Sequence, residues 1–199
     1  MKPVYTLLAA AFLAGCNGTW ATDYDQAVPQ DTARMWHVHD VTVTVPSTLT
    51  TTEEDSYTPD ADIVWHGDEF GDRAAQVAAI LTDGIEQGSA PLRGRRGVDI
   101  NVELVEFHAV TPIARMNAPS AVHNISYKVQ VVDAATGAAL TAPELIRADL
   151  EAYTGIQAFE ALARGDTQKK RITEHLRKVT AGWLGIGPDQ RKTFSTVGR

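Results

Sequence analysis

Three groups of residues in this sequence have the side-chain types that bind ligands or do chemistry. Trp65-His66-Gly67-Asp68, with Asp72 and Arg73 downstream, places an imidazole and two carboxylates within a short stretch. Such nitrogen and oxygen donors at a loop-to-helix junction would suit a small cation or a polar ligand. A simpler role also fits each residue. Asp68 can cap a following helix, Asp72 can sit near the favourable end of its dipole, and Trp65 can pack as a staple. His108 and His123 flank a loop holding Pro112 and Pro119. If their strands pair, the two rings approach each other, for a metal or for an organising hydrogen bond. His37 and His39 are two apart and share one strand face, as zinc ligands sometimes do. They share that face with Val41, Val43 and Val45, and spacing supplies no third ligand.

Nucleophilic catalysis finds little support. There is no Gly-x-Ser-x-Gly, no glycine-rich phosphate loop before a helix and no His-Glu-x-x-His. Glu53-Glu54-Asp55 lies in a polar stretch, where carboxylates are solvated. The expectation is a protein that is not an enzyme and carries no cofactor.

The chain's one cysteine carries the most specific signal. Lys2 gives a short positive start, Val4 to Leu13 is apolar apart from Thr6, and Leu13-Ala14-Gly15-Cys16 follows. So short an apolar run reads as an export signal and not as a membrane span. Leu-Ala-Gly-Cys resembles the lipobox of bacterial lipoproteins. That resemblance implies cleavage before Cys16, a diacylglycerol on its thiol and an acylated new N-terminus. Several acyl chains anchor stably, each buried CH2 contributing about 0.8 kcal/mol. Asn17 stands where Asp would signal inner-membrane retention in enteric bacteria, which favours an outer-membrane location facing the periplasm. The expected layout is a signal at 1–15, a lipidated Cys16 with a flexible tether over 16–34, and a periplasmic domain over 35–199.

The elements that must position these groups follow from periodicity. Alternation at 41–45, 98–104 and 125–131 predicts half-buried strands, the last followed by an Asp133 to Gly137 turn. The polar stretch 47–62 reads as a loop. Phe70, Ala74, Val77, Leu81 and Ile85 mark a helix over about 69–87, with Asp68 before it and Gly88 after. Residues 140–153 fit an edge strand and a helix equally. Ile156, Phe159 and Leu162, then Ile172, Leu176, Val179 and Trp183, predict helical faces, with the last dozen residues frayed. Strands with one polar face need helices on one side only. The fold class is therefore α/β (α+β), a two-layer sandwich with an antiparallel or mixed sheet and helices on one face.

Ala61 to Asp68, Val122-His123-Asn124-Ile125 and Thr167 to Thr173 resemble an uncharacterised lipoprotein family of alphaproteobacteria, a domain of unknown function. The order of elements, with an Asp-x-x-Thr-Gly turn, is more distantly similar to periplasmic lipoproteins of the curli-secretion and penicillin-binding-protein-activator type. That second resemblance implies assembly with envelope machinery and no catalysis.

Charge adds a last expectation. Overall the 199 residues carry a net charge of -7, which argues against nucleic acid as a partner. Residues 17–90 hold 14 acids against 2 bases, whereas 161–199 hold 9 bases against 3 acids. Lys169, Lys170, Arg171, Arg177 and Lys178 on the last helix are candidate contacts for an acidic partner or a lipid surface, or complements to the acidic half. The partners expected are the membrane, through Cys16, and an envelope protein or a second copy of the chain. A metal or small-ligand carrier built on His66, Asp68 and Asp72, or on His108 and His123, is the alternative.

Overall fold

A computed structural model describes residues 18–196; the signal, Cys16 and the lipidation read from it lie outside them. Apolar alternation builds the two central strands, β5 (Arg96–His108) and β6 (Ala121–Asp133). They pair antiparallel with Ile100 opposite Val131, Val102 opposite Val129 and Leu104 opposite Tyr127. A register shift between Leu104 and Glu106 restores the inward phase, so Phe107 also points into the core, opposite Ile125.

Around this pair the sheet is mixed. β2 (Trp36–Thr44) runs parallel to β5 along its first part. The short strands β3 (Thr51–Thr52) and β4 (Ile63–Val64) continue the parallel edge further along. On the other side β6 pairs with β7 (Glu144–Ala148) and β8 (Leu150–Ala152). β7 is followed outward by β1 (Gly18–Asp23) and β9 (Lys192–Thr196). Helices α2 (Arg73–Ser89) and α5 (Gln168–Trp183) cover one face. The other face carries Asn101, Glu103 and Lys128, exposed to solvent. The sandwich with helices on one side is therefore as expected.

Five expectations change. The segment 18–34 is no tether, because it supplies β1 and the short helix α1 (Gln30–Ala33). Tyr24, Val28 and Ala33 enter the core, and the Val28 N–H donates to the Trp183 carbonyl at 2.7 Å. The last dozen residues are not frayed throughout, since β9 pairs with β1 over five residues. Residues 144–148 and 150–152 are strand, and β7 is internal because β1 closes on it. The helix starts later than expected, capped by Asp72 through the Ala75 N–H at 3.0 Å, and Asp68 caps nothing. In α4 (Gly155–Ala163), Ile156, Phe159 and Leu162 face solvent, and only Ala161 is buried.

α2 and α5 touch closely because glycine removes the obstacle. A Cβ at Gly84 would lie 2.6 Å from Leu176 Cβ, and one at Gly88 would lie 2.5 Å from the Arg177 carbonyl oxygen. Around this contact Val77, Ile80, Leu81 and Ile85 meet Ile172, Leu176, Val179 and Trp183, and both helices lie on the apolar sheet face.

Candidate functional site

The loop-to-helix junction is built from bonds internal to the protein. Trp65 is buried against Phe107, edge to face at 5.9 Å, and its indole N–H donates to Asp68 Oδ2 at 3.0 Å. Lys169 donates to both Asp68 oxygens, at 2.9 and 3.0 Å. Burial acts to raise the Asp68 carboxyl, but the bonds from Lys169 and Trp65 hold it below its usual value. Asp72 caps α2. Arg73 is buried and binds Glu53 through two nitrogens at 2.7 and 2.8 Å, closing the 47–62 loop over the helix start. His66 lies at the same junction, and its buried Nε2 has no hydrogen-bond partner. His66, Asp68 and Asp72 do not form a ligand set, since the two carboxylates are committed to a cation and to a cap.

The strands do not bring His108 and His123 together. Register places His108 opposite Asn124, so His123, one residue earlier, points to the other face of the sheet. His108 Nε2 donates to the Ala61 carbonyl. On the helix side, His123 is fully buried, accepts the Val110 N–H at 3.4 Å, and leaves Nε2 without a partner. Burial, with Arg171 and His175 nearby, drives its pKa down to about 3. A register shift after Val38 also puts His37 and Val41 on opposite faces. His37 bonds the Gly94 carbonyl and His39 meets Asp99 at 2.9 Å. Among the described residues, no three His, Cys, Asp or Glu side chains gather as a metal site requires.

The basic residues of α5 are largely occupied within the chain. Lys169 holds Asp68, while Arg177 and Lys178 share Glu174 at 2.7 and 3.4 Å. The Arg177 bonds carry the Glu174 pKa down to about 2. Arg171 stacks 3.5 Å over the Tyr153 ring and donates to the Glu151 carbonyl at 2.9 Å, tying α5 to β8. Lys170 is exposed and, among the described residues, makes no ion pair.

Sequence reasoning missed two features. The first is a buried polar network centred on Asp149, between β7 and β8. Its carboxylate accepts from the Ala21 N–H at 3.0 Å, from Asn124 Nδ2 at 2.7 Å and from the Ile125 N–H at 3.3 Å. Thr22 Oγ1 donates to the Asp149 carbonyl at 3.0 Å and lies 3.3 Å from His175 Nε2 on α5. Burial raises the Asp149 pKa and lowers that of His175 to about 4. A hydroxyl, an imidazole and a carboxylic residue meet here, but Thr22 is 1% exposed and Asp149 3%. Both are closed off from solvent, and the network locks β1, β6 and α5 together.

The second feature is a cleft of about 190 Å³ between the 26–32 segment and residues 140–144. Trp36 and Trp183 line it, and both buried indole N–H groups lack a partner. Its only sequence signal was a pair of tryptophans far apart in the chain.

Comparison with known proteins adds the family. No curated protein matches the chain. A candidate lipoprotein from Caulobacter crescentus, of solved structure, aligns at 19% identity and a TM-score of 0.33, over 54% of this chain and 83% of its own. The PelC dodecamer from Paraburkholderia phytofirmans aligns in two crystal forms, at 12% and 10% identity with TM-scores of 0.31 and 0.30, each over 81% of this chain and 98% of its own. Scores at this level do not establish a shared fold. Residues 36–199, which span every element from β2 to β9, match one family throughout, and the chain belongs to the family of unknown function DUF6778.

Proposed function

We propose that the protein is a lipid-anchored component of a bacterial envelope assembly that works by binding and not by catalysis. The observation that carries the reading is the join between signal and domain. The lipobox-like Leu13-Ala14-Gly15-Cys16 ends two residues before Gly18, where β1 begins. A chain cleaved before Cys16 would keep the whole described domain. It would lose only the apolar leader, which lies outside the matched region. The outer membrane, facing the periplasm, is the location that Asn17 favours. The distant likeness to curli-secretion and penicillin-binding-protein-activator lipoproteins, which rests on element order, agrees with an assembly role.

The test is fractionation of cells making the full chain or its Cys16→Ser variant. The wild type is expected in the membrane fraction with a diacylglycerol on Cys16, and the variant is expected outside it. A variant that stays membrane-bound would overturn anchoring through Cys16.

A small-ligand carrier is the second reading, favoured by one observation: the cleft of about 190 Å³ between 26–32 and 140–144, lined by Trp36 and Trp183. Aromatic walls of this kind suit a small ligand with an apolar body. Quenching of tryptophan emission by such compounds, lost in Trp36→Phe, would support it.

A further inference from the structure

Large apolar side chains left in water are unevenly spread over this molecule. Among the described residues eight are exposed. Met35 precedes β2, and Leu145 lies on β7 opposite Lys128, on the polar face of the sheet. The remaining six are Tyr57, Phe70, Met116, Ile156, Phe159 and Leu162, and strand directions place them all at one end of the sheet. His108 ends β5, Ala121 begins β6 and Ala152 ends β8, and the pairings put these three termini at the same end. α3 (Pro112–Asn117), which carries Met116, bridges β5 and β6 there, and α4 follows directly from β8. Tyr57 lines a crevice with His108 and Val122, and Phe70 lies between β4, which pairs with His108, and the start of α2.

The same end receives the N-terminus. Thr22 pairs with Ala148 and Asp23 with Arg147, so β1 runs antiparallel to β7 and Gly18 lies at the level reached by β8. Cys16 is two residues before Gly18. Two residues span at most about 7 Å, so a lipid on Cys16 holds this end of the domain against the bilayer.

Within this end, α4 has the makings of an interfacial helix. Ile156, Phe159 and Leu162 recur every third residue and are 79%, 75% and 52% exposed, with Met116 of the neighbouring α3 also exposed. Ala161 on the opposite side is buried. Arg115 on α3 is partly exposed, and Arg164 just after α4 is exposed and meets Glu160 at 3.8 Å. Apolar side chains with cations near them suit the boundary between headgroups and acyl chains of a bilayer.

We infer that the α3–α4 end of the domain, with Ile156, Phe159 and Leu162 inserted, lies on the lipid surface beside the Cys16 anchor, leaving the far end and the polar sheet face turned towards partners. This rests on anchoring through Cys16 and adds an orientation to it.

The test uses the full lipidated chain, in which acylation of Cys16 makes an introduced thiol unique. Phe159→Cys carries an environment-sensitive fluorophore in vesicles of phosphatidylethanolamine and phosphatidylglycerol, and Leu145→Cys serves as the reference. Both positions are exposed, so neither change disturbs the core. Blue-shifted emission at 159 that is quenched by nitroxide-bearing lipids, with water-like emission at 145, is the expected result. Water-like emission at 159 on a lipidated, membrane-bound chain would overturn the orientation and leave the anchor standing. Blue-shifted emission without lipid quenching, together with 159–159 disulfides when the unlabelled Phe159→Cys chain is oxidised on vesicles with copper phenanthroline, would overturn it in favour of a second copy on this face. A chain recovered off the vesicles with an unmodified Cys16 would remove the anchor and the orientation together, and the mass of the N-terminal peptide distinguishes that failure from the others.

Discussion

Burial keeps His123 and His175 neutral in the folded chain, with pKa values of about 3 and about 4 against an ordinary 6.5. Between the folded and ordinary values the unfolded chain binds protons that the native state excludes. Stability therefore rises with pH through that window and is lost on acidification. From pH 6.5 to 5 each histidine is expected to cost about 2 kcal/mol. Asp149 has the opposite sign, because its raised pKa makes acid favour the folded state as that carboxyl protonates. Urea melts at both pH values check this, and His175→Gln should remove about half of the acid-induced loss; an unchanged slope would show that His175 is not the titrating group. Asp149→Ala should cost about 2–4 kcal/mol at neutral pH, since the Ala21 N–H, the Ile125 N–H and Asn124 lose their shared acceptor. None of this was legible in the sequence. Asp149 lies in a stretch whose alternation fits strand and helix alike, and Thr22 lies 127 residues away from the carbonyl it bonds. The candidate histidines were legible as residues but not as neighbours, because one step of register decides which face of the sheet each occupies.

Packing decides the element scale wherever it opposes local preference. Helix propensity alone would make Gly88→Ala stabilising by up to about 1 kcal/mol. The Arg177 carbonyl oxygen 2.5 Å from the new Cβ should reverse the sign and give a net loss of about 1–3 kcal/mol in a chemical melt. On α5 the basic residues separate by what they touch. Lys170→Glu should leave the melt unchanged, whereas Arg171→Ala should lower stability by about 1–2 kcal/mol through loss of the Tyr153 stack and the Glu151 bond. Equal effects would contradict that division. The central strands and both long helices were legible because their apolar spacing is local. β1 was not, since Gly18–Asp23 owes its strand state to β7 and β9, contributed from far along the chain. The stripe of α4 misled for a related reason: spacing reveals an apolar face and is silent about whether protein covers it.

For the whole molecule, the distribution of charge and of exposed apolar side chains decides which faces are left for other molecules. Part of the acidic first half is answered from within, by Arg147 on Asp23 and Lys169 on Asp68, so the asymmetry is in part structural. What remains free is an apolar end at the level of Gly18 and a polar sheet face away from the helices. That arrangement suits a module held on a membrane and read by other proteins. In-cell crosslinking of the tagged full chain, with mass spectrometry of what is captured, tests this most directly. A membrane-held binding module should yield the same envelope proteins, or further copies of the chain, in repeated captures, all lost when Cys16→Ser removes the anchor. A chain that crosslinks to nothing while seated in the membrane would contradict it.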